Sequence, residues 1–134
     1  MGYLLDANIV SNLARNPHGR VADRIKAVGE PNICTSIIVA AELRYGTTKK
    51  ASPRLSAQVE ALLGAIDTLP LDSPADEVYG SIRTQLELTG TPIGGNDLLI
   101  AAQAIALDHT LVTDNDKKFA RTVGLHVENW LITR

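Results

Sequence analysis

Asp6 closes the apolar run Tyr3-Leu4-Leu5, and Glu42 stands between Ala41 and Leu43. Asp97 precedes the apolar residues 98–107, which only Gln103 interrupts, and Asp114 and Asp116 follow the short run 110–113. At each of these places a carboxylate meets sequence that belongs inside a protein, where charge is costly unless something pairs with it. Singly, each has a structural explanation. Asp6 or Asn8 can cap the helix that follows, Glu42 can lie on a solvated face, and Asp97 in a first helical turn meets the positive end of the helix dipole. Together they suggest chemistry. Carboxylates gathered in one pocket repel, so some take up protons or a cation neutralises them. A site of oxygen donors, without His or Cys at ligand spacing, selects hard ions such as Mg²⁺ or Mn²⁺. Such ions activate water and stabilise the charge that develops as a phosphodiester is cleaved. His18, His109 and His126 show no ligand spacing and read as turn or surface residues.

The elements that must hold these acids alternate between strand and helix. Residues 3–5 predict a buried strand, and 8–14 a helix with Ile9 and Leu13 one turn apart. Val21, Ile25 and Val28 make the apolar stripe of a surface helix that Pro31 closes. A second strand is predicted over 32–35, followed by a helix capped by Ser36 and stopped at Gly46. Residues 47–53 then read as a polar loop, with Lys49, Lys50 and Arg54 able to hold phosphates. A helix over 55–66, a weak strand over 67–71 and a helix introduced by Ser73-Pro74 and ended by Gly90 come next. Gly94 and Gly95 break the chain, Asn96 is the expected cap of a buried helix, and 110–113 is the next strand. A last strand is expected over 125–127, with Trp130 packing a terminal edge. This alternation predicts an α/β domain with a mainly parallel sheet covered on both faces. Asp6 and the Asp114/Asp116 pair then share the carboxyl end of the sheet, where such folds place their sites.

The 134 residues fit one domain, 1–134. There is no apolar run long enough to span a bilayer, and residues 1–5 do not make a signal peptide. The single cysteine, Cys34, cannot form an internal disulfide and reads as a small core residue, which suits a cytoplasmic protein. With 13 basic and 15 acidic residues the net charge is −2, which taken alone argues against a general nucleic-acid binder. If several acids are neutralised by bound cations, however, the remaining balance turns mildly basic.

Four segments in order, LLDANIV, TSIIVAAELRYG, IGGNDLLIAA and LVTDNDKKF, make the chain resemble the PIN domain family, most of all the VapC-type ribonuclease toxins of toxin–antitoxin pairs. The resemblance extends to the closing LHVENW and so covers nearly the whole chain. It implies a three-layer α/β/α fold, Mg²⁺ or Mn²⁺ as cofactor, RNA as substrate, a homodimer and an antitoxin partner whose segment covers the pocket. By position, Asp6, Glu42 and Asp97 match the family's first three acids. The fourth is either Asp114, counting from Thr113, or Asp116, counting back from Phe119. Asn8, Ser36 and Thr113 are expected as supporting residues. Ala7 departs from the family, which usually carries Thr or Ser there.

Two other functions compete. A receiver-type phosphoacceptor domain wants paired acids after the first strand and a phosphorylated Asp at a mid-chain strand end. LLDAN supplies one acid, and only Asp72 lies near the second place. An inactive PIN-like module that binds RNA or protein would not need its acids, and here they are retained.

Overall fold

The computed structural model describes residues 2–132. Its five strands are β1 (Tyr3–Leu5), β2 (Ile33–Ser36), β3 (Asp67–Leu69), β4 (Thr110–Val112) and β5 (Val127–Glu128). They form one sheet in the order β3-β2-β1-β4-β5, and every neighbouring pair is parallel. Parallel neighbours require long crossover connections, which helices supply. These are α1 (Ala7–Arg15), α2 (Arg20–Val28), α3 (Ile37–Lys50), α4 (Pro53–Ala65), α5 (Ala75–Leu88), α6 (Gly95–Ala106) and the single turn α7 (Asp116–Phe119). The result is the expected three-layer α/β/α fold.

A strand covered on both faces must be apolar on both, and β1 and β4 meet that demand. Leu4, Leu5, Leu111 and Val112 have no solvent exposure. Helix α6 is buried nearly all round, as Ile100, Ala101, Ala102 and Ala104 show. The one polar residue in that run, Gln103, is buried as well. Its Nε2 donates to the carbonyls of Leu69 (3.3 Å) and Pro70 (3.0 Å), tying α6 to the segment that leaves β3.

From β1 the chain builds outward through β2 and β3 on one side, then returns to place β4 and β5 on the other. The strand order therefore reverses between β1 and β4. Crevices at the carboxyl ends of the strands open at such a switch point. Backbone pairing continues just past it, with Asp6 N–H donating to the Val112 carbonyl at 2.9 Å.

Four boundaries differ from expectation. Helix α3 runs through Gly46 to Lys50 and ends only at Ala51, which adopts a left-handed conformation (φ 50°, ψ 40°). Glycine costs a helix about 1 kcal/mol relative to alanine. Here Leu43 and Thr47 are buried on either side of Gly46, and that packing carries the helix through. Lys49 and Lys50 thus belong to a last helical turn, not a loop. Helix α6 starts at Gly95 with Gly94 in the cap position, so Asn96 lies in the first turn and caps nothing. Pro74, not Ser73, precedes α5, with no side-chain cap; the acids Asp76 and Glu77 in the first turn supply favourable charge instead. At the far edge β5 falls at Val127–Glu128, two residues later than its predicted start. Trp130 is buried there, 5.3 Å from the Tyr3 ring and under the Arg24 guanidinium.

Candidate active site

Asp6 leaves β1 in an extended conformation and serves as the N-cap of α1. Its Oδ1 accepts from the Ala7 N–H at 2.8 Å, and its Oδ2 accepts from the Thr113 hydroxyl at 2.8 Å. The structural expectation for this residue is met, and the capping carboxylate is buried at the carboxyl end of the sheet. Burial raises the Asp6 pKa above the ordinary carboxylate value, against the lowering effect of the Thr113 and Ala7 hydrogen bonds. The charges of Asp97 and Asp114 add to the rise.

Thr113, just past β4, has no solvent exposure. Its hydroxyl donates to Asp6 and accepts from the Asn115 N–H at 3.1 Å, so it aims the carboxylate and shapes the following loop. Position 7 has no hydroxyl to offer. The hydroxyl on Asp6 comes from Thr113 instead.

Glu42 lies in the second turn of α3. Ser36 caps that helix by accepting from the Ile38 N–H at 3.0 Å. Glu42 is half-buried, and its Oε1 is buried with no hydrogen-bond partner. Burial raises its pKa, and Asp6 and then Asp97 raise it further. Around it, Ala40 and Leu43 are buried while Ala41 and Tyr45 are exposed.

Asp97 sits in the first turn of α6, as expected, and its Oδ2 accepts from Lys118 Nζ at 2.6 Å. Asp114 is exposed, and both its oxygens accept from Asn8 Nδ2, at 3.0 and 3.3 Å. Asp116 opens α7, and its Oδ1 accepts from Asn129 Nδ2 at 3.2 Å. Asp114 lies within electrostatic reach of Asp6, whereas Asp116 is turned toward the segment after β5.

Asp6, Glu42, Asp97 and Asp114 therefore converge from four elements on one end of the sheet. Lys49, Lys50 and Arg54 do not join them. They stand at the far end of α3 and the start of α4, exposed, and none forms an ion pair among the described residues. His18 and His126 are exposed, and His109 accepts from the Gly2 N–H at the opposite end of the sheet. Two site residues were not expected: Lys118 and Asn129. Lys118 sits in DKKF, within the acidic loop already singled out, and a cation one turn from an acid was the available signal. Nothing in the sequence pointed to Asn129.

Among the described residues no three His, Cys, Asp or Glu side chains form a ready-made metal cage. The chemistry of the pocket nevertheless fits a hard divalent ion. Its donors are all carboxylate oxygens, one buried oxygen of Glu42 lacks a partner, and burial first, with the neighbouring acids after it, raises the pKa of Asp6 and of Glu42.

An all-parallel α/β domain with carboxylates from four elements gathered at its switch point defines the class of protein. The particular family follows from comparison. The chain matches the PIN domain model over residues 3–125 and belongs to that family. It is 37% identical over 132 residues to ribonuclease VapC2 of Rickettsia felis, covering 97% of this chain and 98% of that protein. To the tRNA(fMet)-specific endonuclease VapC of Shigella flexneri it is 33% identical over 129 residues, with 96% and 97% covered. The crystal structure of VapBC2 from Rickettsia felis, bound to a DNA fragment from their promoter, superposes with a TM-score of 0.88 at 36% identity. That match covers 97% of this chain and 99% of that one.

Proposed function

We propose that this chain is a Mg²⁺- or Mn²⁺-dependent endoribonuclease and the toxin of a toxin–antitoxin pair. The observation that carries the reading is the convergence of Asp6, Glu42 and Asp97 on the switch-point crevice, with the Glu42 Oε1 buried and unpartnered. The relatives named as ribonuclease and tRNA-specific endonuclease support RNA as substrate. The VapBC complex among solved structures supports an antitoxin partner. A homodimer is part of the same reading, as is action in the cytoplasm, where RNA substrates are found. No helix among the described residues is long and apolar enough to cross a membrane.

In this reading Asp6, Asp97 and Asp114 hold the ion, with Asp116 the alternative fourth acid. When bound, Mg²⁺ or Mn²⁺ lowers the pKa of the attacking water and offsets charge on the phosphodiester. Thr113 keeps Asp6 in its orientation, and Asn8 does the same for Asp114. Glu42 is the general base. Its raised pKa makes it a better proton acceptor than an ordinary carboxylate, and Oε1 takes the proton of the attacking water. A bond forms between that water oxygen and phosphorus, and the bond to the leaving ribose oxygen breaks. Lys49, Lys50 and Arg54 contact phosphates of the strand away from the cleaved bond.

The test is the pattern of RNA fragments made by the purified protein. Cleavage should require Mg²⁺ or Mn²⁺, stop in EDTA and return when the ion is restored. Full activity in EDTA would end the metal mechanism, and RNA binding without cleavage under any ion would favour the inactive binding module.

A further inference from the structure

The cation that touches the acidic pocket belongs to the chain itself. Four ion pairs occur among the described residues, and three join well-exposed side chains at 3.1–3.2 Å. The fourth, Lys118 to Asp97, is shorter at 2.6 Å, and its carboxylate is only 23% exposed. Asp97 is also the acid whose charge reaches both Asp6 and Glu42. The Lys118 side chain itself is 41% exposed and has an open path to solvent.

We propose that Lys118 is a tethered counter-ion of the pocket, which a divalent ion must displace from Asp97 in order to bind. The inference rests on the metal-dependent reading above and adds a regulatory residue to it. A lysine ammonium is a compact point charge on a flexible stem, well suited to occupy a carboxylate and to leave it. Mg²⁺ bonds oxygen at about 2.0–2.1 Å. An ammonium hydrogen-bonded to the same Oδ2 would meet both the ion's charge and its hydration shell. Without the ion, Lys118 relieves repulsion among Asp6, Glu42 and Asp97 and so stabilises the empty protein. With the ion, the lost pair is subtracted from metal affinity.

The experiment compares wild type with Lys118→Met, Lys118→Arg and Lys117→Met, using Mn²⁺ titration without RNA and melting in EDTA. Lys117 is exposed, so Lys117→Met removes the same net charge from beside the pocket. Lys118→Met should bind Mn²⁺ about three- to tenfold tighter. It should also melt about 2–4 °C lower in EDTA. Lys118→Arg should stay near wild type in both, and Lys117→Met should move either by much less. Unchanged or weaker Mn²⁺ binding by Lys118→Met, or an equal gain in Lys117→Met, overturns the proposal and leaves the nuclease reading standing. If neither wild type nor Lys118→Met binds Mn²⁺, the metal-dependent reading fails and takes this inference with it.

Discussion

The two ends of the same sheet treat polar groups in opposite ways. At the amino end, His109 Nδ1 accepts from the Gly2 N–H at 3.0 Å, and Asn32 Nδ2 donates to the Val28 carbonyl at 2.7 Å. Contact there is close: a Cβ on Gly2 would lie 3.0 Å from the His109 ring and 3.1 Å from the Asn32 carbonyl. Both side chains are satisfied by backbone. At the carboxyl end, four acids converge, two of them with raised pKa values, and one buried oxygen has no partner. One end is built to be stable. The other accepts a cost that folding alone does not explain, and local conflict of that kind is what the proposed site requires.

The comparison breaks most sharply at Glu42. Glu42→Gln keeps the shape but removes the proton acceptor, so cleavage should fall about 10²–10⁴-fold. Folding should respond in the opposite sense. The folded-state pKa of Glu42 is raised, so the folded protein holds this proton more tightly than the unfolded chain does. The stability it contributes is fully present below the ordinary carboxylate pKa and is lost as pH rises through the raised value. Melting in EDTA from about pH 4 to about pH 7 should therefore show Glu42→Gln gaining on wild type as pH increases. A variant that loses ground across that window would mean Glu42 is paired, and the two ends of the sheet would then be alike.

A second pair of variants sharpens which residues belong to the acidic end. Asp114→Asn should reduce cleavage about 100-fold and weaken Mn²⁺ binding, because Asp114 lies within reach of Asp6. Asp116→Asn, at the acid held by Asn129, should cost about threefold or less. The reverse ranking would move the fourth acid two residues along, to the start of α7.

Equivalent lesions at the two ends should separate stability from activity. Thr113→Val keeps size but removes the hydroxyl shared by Asp6 and the Asn115 N–H. It should cost about 1.5–3 kcal/mol, since one partner is a buried carboxylate. Cleavage should fall about tenfold, because Asp6 loses its orientation. His109→Ala removes a neutral, partly buried bond at the other end and should cost about 0.5–1.5 kcal/mol. Its cleavage rate per folded molecule should stay at wild type. Equal losses of activity in the two variants would erase the distinction drawn between the ends.

Much of this was legible in sequence because parallel strands and buried helices advertise themselves. Tyr3-Leu4-Leu5 and residues 98–107 could not face water, so their place and type followed from composition alone. Asp6 and Asp97 followed from standing next to them. Boundaries were harder. Gly46 reads as a stop, and only the packing of Leu43 and Thr47, a tertiary fact, carries α3 past it. Asn96 reads as a cap, but two glycines before it let the helix begin two residues earlier. Lys118 stayed hidden because a lysine beside acids is usually solvated. Nothing local says that one turn of helix will aim it at Asp97, 21 positions back.

The smallest effect concerns Lys49, Lys50 and Arg54, where the altered boundary changes the reasoning. A loop could bend toward the acids, but the last turn of a 14-residue helix cannot. Fourteen residues span roughly 20 Å, so these side chains lie well away from the strand ends where α3 begins. Lys49 also rests over the Tyr45 ring, 5.8 Å from its centroid. Lys49 lies seven residues, roughly 10 Å, along α3 from Glu42, so what these side chains can still touch is a phosphate beyond the one being cut. Such contacts raise affinity without sequence preference and show themselves in salt dependence, by about 0.7 in the slope of log K against log salt per single-strand phosphate neutralised. Replacing all three by Gln should flatten that slope by up to about 2, weaken RNA binding at moderate salt and leave the position of cleavage unchanged. Mn²⁺ binding without RNA should not move, which separates this basic end from the Lys118 neighbourhood. If the slope stays at its wild-type value, the three cations are solvated helix ends, and the RNA follows another face of the molecule.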